Sequence, residues 1–81
     1  MKTEDELLER IIVNPKVMGG KPIVKGTRIT VEQVLKLLAQ GLSPKEILKD
    51  YPHLTEEDIS AVLLYAAKVA GEEEVYPVTI T

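Results

Sequence analysis

The chain has 81 residues, no cysteine, one histidine and a formal net charge of −3. That length sets a single domain, residues 1–81, whose core covers only roughly 60–65 % of the unfolded surface, so assembly with further copies is a natural supplement. Without cysteine there are no disulfides, no thiol chemistry and no thiolate zinc site. With three Tyr and neither Phe nor Trp, the core must come from Leu, Ile, Val and Ala. No apolar run reaches membrane-spanning length and no basic-then-apolar leader is present, which places the expectation in the cytoplasm.

Charge is distributed unevenly. Met1 to Gly41 holds seven Lys/Arg against five Asp/Glu, a net of +2, while Leu42 to Thr81 holds three against eight, a net of −5. No acid falls between Glu9 and Glu32, the stretch that carries Lys16, Lys21, Lys25 and Arg28.

In chain order, residues 1–10 read two ways. Thr3 with Glu6 resembles a capping box, with Leu7, Leu8 and Ile11 behind it, yet ten residues make a marginal helix. Residues 11–29 read as strand and turn: Ile11–Val13 and Pro22–Val24 are short apolar runs, with turn signals at Asn14-Pro15, Gly19-Gly20 and Lys25-Gly26. Three helix starts follow in residues 30–71. Thr30 with Gln33, Ser43 with Glu46 behind Pro44, and Thr55 with Asp58 each pair a cap hydroxyl with a group three residues on. Ile29 facing Val34, Leu42 facing Ile47 and Leu54 facing Ile59 add hydrophobic staples; Asp58 is short for a reciprocal box partner.

The first of these helices is expected over about Val31 to Gln40, with Val31, Val34, Leu35 and Leu38 on one face and Gly41 as its stop. The second, Pro44 to Asp50, is two turns long and needs tertiary support. The third, Glu56 to Ala70, aligns Ile59, Val62, Leu63, Ala66, Ala67 and Ala70, which leaves Leu64 and Tyr65 off the stripe, exposed or covering another subunit. Residues 72–81 form an extended tail in which Val75, Tyr76, Val78 and Ile80 are candidate partner contacts. Their alternation suits a C-terminal strand, restricted by Pro77 to an edge or an extension, that adds to a partner or packs on the N-terminal strands. The fold class is mainly α: a three-helix unit of helix-turn-helix or homeodomain-like type with short N-terminal strands.

No catalytic constellation emerges. His53 lies between Pro52 and Leu54 with no neighbour to make a ligand pair or a triad, and Glu56, Glu57 and Asp58 stand where a helix dipole favours acids. Gly19-Gly20-Lys21 fails as a phosphate loop, because Pro22 occupies the position of the magnesium-holding hydroxyl. Neither enzyme activity nor a cofactor or metal is expected. For nucleic acid, the third helix offers acids rather than base-reading groups at its start. Any phosphate grip therefore falls to Lys16, Lys21, Lys25 and Arg28. Arg28 has an alternative role, pairing with a carboxylate of the acidic half to hold strands against helices.

Asn14-Pro15, the run Gly20-Lys21-Pro22-Ile23-Val24-Lys25-Gly26-Thr27-Arg28-Ile29, then Gly41-Leu42-Ser43, Glu46-Ile47-Leu48 and Asp50 through Thr55 together resemble the domain of unknown function 433 family. The resemblance extends through Glu57-Asp58-Ile59, Ala61 and Tyr65-Ala66-Ala67 and covers about residues 11–70. It implies a homeodomain-like unit behind short strands, usually dimeric or larger. It also implies a role like that of VapB-type antitoxins, which neutralise a small PIN-like ribonuclease toxin and bind operator DNA. Carried onto this chain, the Gly20–Ile29 run belongs to the folded part and residues 72–81 to the toxin-facing part, although no basic residue follows Lys68. The alternative is a stand-alone nucleic-acid-binding or interaction module without a toxin.

Overall fold

A computed structural model describes residues 2–72 of the chain. Thr3 opens helix α1 (Glu4–Leu8), its hydroxyl accepting the Glu6 N–H at 3.2 Å, so the first of the two readings of residues 1–10 holds. Strands β1 (Ile11–Val13) and β2 (Pro22–Val24) then pair antiparallel, Ile11 opposite Val24 and Val13 opposite Pro22. The Lys25 N–H donates to the Arg10 carbonyl at 2.7 Å, just outside the first pair. Ladder bonds alternate along an antiparallel pair, so Val13–Pro22 falls at a non-hydrogen-bonded position, where a proline costs no donor.

The hairpin loop closes through a left-handed turn: Met18, Gly19 and Gly20 have φ of 51°, 66° and 79°. Glycine adopts this region freely and methionine does not. Met18→Gly is therefore expected to stabilise the chain by about 0.5–1 kcal/mol, the left-handed penalty less the added entropy of glycine. Urea unfolding checks this; a loss of stability would show that contacts of the Met18 side chain outweigh the strain.

Beyond β2 the chain turns back on itself. The Thr27 hydroxyl donates to the Val24 carbonyl at 2.8 Å and accepts the Ile29 N–H at 3.0 Å, and the Val24 N–H donates to the Ile29 carbonyl. Thr30 then bridges Ile23 and caps α2 (Val31–Ala39), accepting the Gln33 N–H at 3.0 Å. The Gln33 side chain does not complete a box; it donates to the Tyr51 hydroxyl at 2.8 Å. Helix α2 ends with the Gly41 N–H on the Leu38 carbonyl and the Leu42 N–H on the Leu37 carbonyl, a Schellman closure that places Gly41 at φ 97°. Helix α3 (Pro44–Asp50) carries the full Ser43–Glu46 capping box, whose Ser43 N–H holds the Glu46 carboxyl below its ordinary range.

The remaining helix, α4 (Glu56–Glu72), departs from the sequence-based reading in three respects. First, Asp58 does serve as a box partner: its carboxylate accepts the Thr55 N–H at 2.9 Å while its own N–H reaches the Thr55 hydroxyl. Second, the helix runs through Gly71 to Glu72, because glycine stops a helix only where the chain takes a positive φ there. Third, the buried residues are Asp58, Ile59, Ala61 and Val62, with Tyr65 packed on the core beyond them; Leu63 is 48 % exposed, and Ala67 and Ala70 face outward. Short α1 lies along α4, so the inward face of α4 is set by α1 as well as by α2, α3 and β1.

The core is Val24, Val31, Val34, Ile47, Leu54, Ile59 and Val62, and all three staple pairs belong to it or pack against it. The fold is mainly α with one two-stranded sheet. Among the described residues no helix is long and apolar enough to cross a membrane.

Candidate functional site

The hairpin divides the basic stretch. Lys16 and Lys21 lie in the loop joining β1 to β2, whereas Lys25 and Arg28 lie at the opposite end of β2. At about 3.3 Å per strand residue, Lys21 and Lys25 stand roughly 13 Å apart along the backbone. Asn14 shapes the loop by accepting the Lys16 N–H on its side-chain oxygen at 2.9 Å. Lys21 turns toward α2 and meets Glu32 at 3.1 Å, where Lys36 also arrives at 3.1 Å. The Lys21 bond, and after it the Lys36 bond, hold the Glu32 carboxyl below its ordinary range. Two cations on one anion leave this cluster positive.

Lys25 faces elsewhere. It lines a surface groove of about 310 Å³ with Lys2, Glu6, Glu9, Arg10 and Asp58, on the acidic side of the molecule. Arg28 is exposed and makes no ion pair among the described residues, so it does not clamp the acidic half. Arg10 does so instead. Its guanidinium donates to Asp58 Oδ1 at 3.1 Å and to Glu57 Oε2, joining the end of α1 to the start of α4.

Packing of α1 on α4 sorts the charges more cleanly than chain order does. Residues 2–10 and 56–72, the α1–α4 layer, carry three Lys/Arg and eight Asp/Glu, a net of −5. Residues 11–55, the hairpin with α2 and α3, carry seven against three, a net of +4. This basic part includes Lys36, Lys45 and Lys49, which the reading centred on residues 16–28 passed over. Lys45 and Lys49 are four apart on α3, each two residues from buried Ile47, and so occupy its outer face. That spacing was the available signal.

Of the partner-binding candidates, Tyr65 is half-buried against the core and Leu64 is half-buried, while Leu63 is the exposed leucine of α4. Val75, Tyr76, Val78 and Ile80 lie outside the described residues. A separate apolar groove of about 430 Å³ runs beside α2, lined by Pro22, Val31, Leu35 and Ala39 with Glu32 and Lys36 at its rim. His53 is exposed in the turn before α4. No group of three or more His, Asp or Glu with metal-holding geometry occurs among the described residues.

Residues 11–66 match the family model described as "Protein of unknown function (DUF433)". An uncharacterized protein, y4eO of Sinorhizobium fredii, is 36 % identical over 58 residues, which are 72 % of this chain and 26 % of that protein. An uncharacterized protein of Archaeoglobus fulgidus is 50 % identical over 30 residues, 37 % of this chain and 83 % of that one. The crystal structure of a DUF433 member protein from Anabaena variabilis superposes with a TM-score of 0.73 at 36 % identity, covering 78 % of this chain and 62 % of its own. The chain thus spans about a quarter of the Sinorhizobium protein and less than two thirds of the Anabaena one.

Proposed function

The chain belongs to the DUF433 family, and from its surfaces we propose that it is a non-enzymatic, antitoxin-like regulatory protein that grips operator DNA with its basic part. The observation that carries this reading is the segregation of charge, a net +4 on the hairpin, α2 and α3 against −5 on the α1–α4 layer. Helix α2, the four-residue turn Gln40–Ser43 with Gly41 in it, and α3 have the lengths of a helix-turn-helix pair. In that arrangement α3, not α4, meets the major groove with Lys45 and Lys49, and Lys21 and Arg28 contact backbone phosphate beside the start of α2. The first turn of α4 suits neither task, since Glu56, Glu57 and Asp58 repel phosphate. Neutralisation of a PIN-like ribonuclease is proposed on the family resemblance, with residues 72–81 as the contacting segment.

Anisotropy of a fluorescent DNA duplex across a salt series tests the grip. Affinity is expected to fall steeply with salt, and each lost phosphate contact flattens the log–log slope by about one. Lys45→Ala/Lys49→Ala and Lys21→Ala/Arg28→Ala should each reduce the slope, while Lys25→Ala, on the acidic side, leaves it in place. A slope unchanged by both double variants overturns the proposal. The toxin-neutralising half is read separately: a neighbouring small nuclease should be tolerated on co-expression with the full chain and not with residues 72–81 removed.

A further inference from the structure

The DNA reading places α3 in the major groove, and the side chains that α3 turns outward decide what it can read there. Ile47 is fully buried between α2 and α4, which fixes the rotation of the helix about its own axis. At about 100° per residue, Lys45 and Lys49 fall roughly 160° from Ile47 on either side, about 40° from one another. Both are exposed, and neither makes an ion pair among the described residues, so they form the crest of the outer face. The flanks offer no competing group. Glu46 turns back to the helix start, where its carboxylate accepts the Ser43 N–H at 3.1 Å, and Leu48 is half-buried on the other flank. Asp50 lies on the inner side, about 60° from Ile47. The Gln33 amide of α2 is engaged with the Tyr51 hydroxyl.

We infer that this face reads guanine, Lys45 and Lys49 donating to the O6 and N7 acceptors of guanines at alternate base pairs. The inference rests on the DNA reading and adds the base that is selected. A lysine ammonium has three donors and no acceptor, so it favours the base edge richest in acceptors. Guanine presents O6 and N7 side by side in the major groove. Adenine sets its amino donor beside N7, thymine offers O4 beside a methyl group, and cytosine presents an amino donor. The amino groups of adenine and cytosine turn an ammonium away. Spacing agrees with this assignment: four residues of helix advance about 6 Å, against about 6.8 Å for two base steps. The Ser43–Glu46 capping box and Ile47 hold the backbone of α3, so the lysine stems alone adjust to the groove. Lys21 and Arg28, outside α3, supply affinity for phosphate without selecting a base.

Competition anisotropy of the full chain with a set of matched duplexes is the experiment. The duplexes are alike except at a central run of three guanines. That run is kept, replaced by A·T pairs, built from 7-deazaguanine, which pairs normally but lacks N7, or built from inosine. The guanine duplex is expected to bind about tenfold more tightly than the A·T duplex, and 7-deazaguanine to lose most of that margin. Inosine keeps O6 and N7 and lacks only the minor-groove amino group, so it should bind as guanine does. Lys45→Ala/Lys49→Ala should bring the guanine and A·T duplexes within about twofold of each other. Lys21→Ala/Arg28→Ala should weaken both alike and preserve their ratio. Salt-sensitive binding with equal affinity for every duplex overturns the guanine assignment and leaves the phosphate grip standing. A preference that survives 7-deazaguanine or Lys45→Ala/Lys49→Ala, or that is lost with inosine, overturns it as well. Absence of binding to every duplex overturns both readings.

Discussion

Ile47→Ala is expected to cost about 3–4 kcal/mol of folding stability, within the span of about 2–5 kcal/mol for truncating a buried isoleucine. Ile47 is fully buried and is the one buried residue of α3, a helix of seven residues that has no stability of its own. It touches the core between α2 and α4, so its removal leaves a cavity where three helices meet. A domain of this size holds roughly 4–12 kcal/mol in all, at about 0.05–0.15 kcal/mol per residue, and the change removes a large share of it. The melting temperature should fall by more than about 12 °C, given about 4–8 °C per kcal/mol for domains of 60–100 residues. Circular dichroism against temperature and urea, at fixed protein concentration, measures both. Leu48→Ala, at a half-buried neighbour, should cost less than half as much. A loss below about 1 kcal/mol for Ile47→Ala would fall outside that span and show that Ile47 does not hold the three helices together.

What the sequence made legible is what is local. The starts of α2, α3 and α4 depend on a hydroxyl and a group three residues on, and the end of α2 depends on Gly41; such signals lie within one or two turns and were read at the right residues. The inward face of α4 was not local. Its apolar residues are numerous enough to draw two stripes, one through Ile59 and Val62 to Tyr65 and another through Leu63, Ala67 and Ala70. Only the packing of α1, β1, α2 and α3 against α4 chooses the first. The same holds for Arg10 and Asp58, which are 48 residues apart in sequence. A reader of the chain sees Arg28 just before the start of α2 and has no means of seeing Arg10 delivered to the far helix.

Charge shows how folding reorders a correct local observation. The basic run from Lys16 to Arg28 is real, yet the hairpin sends its members to opposite ends of β2, and Lys25 ends beside Glu6, Glu9 and Asp58. Conversely, Lys45 and Lys49 lie in the half of the chain with net negative charge, but fold onto the positive part because α1 carries its acids away to α4. A charge total taken along the chain therefore places the candidate phosphate contacts too early. One taken by packing layer moves them toward α2 and α3.

Arg10→Ala is expected to destabilise the chain by about 2–3 kcal/mol, below the roughly 3–5 kcal/mol for breaking a fully buried pair because water reaches part of the site. The Asp58 side chain is 9 % exposed and the Arg10 side chain 32 %. Without the guanidinium, Asp58 keeps only the Thr55 N–H for its charge, and Glu57 beside it adds repulsion. Arg10 also fixes the chain between α1 and β1, so its loss loosens α1 from α4 as well as leaving a charge uncompensated. Arg10→Lys should recover only part of the loss, since an ammonium is a point charge that does not reproduce a fork shared between two carboxylates. Adding Asp58→Asn to Arg10→Ala should cost less than the two single losses together, because an amide leaves no bare charge and its oxygen still accepts the Thr55 N–H. Urea unfolding of the four proteins measures the coupling. A loss under about 0.5 kcal/mol for Arg10→Ala, with the two changes simply additive, would mark the pair as a solvated surface contact of the ordinary kind.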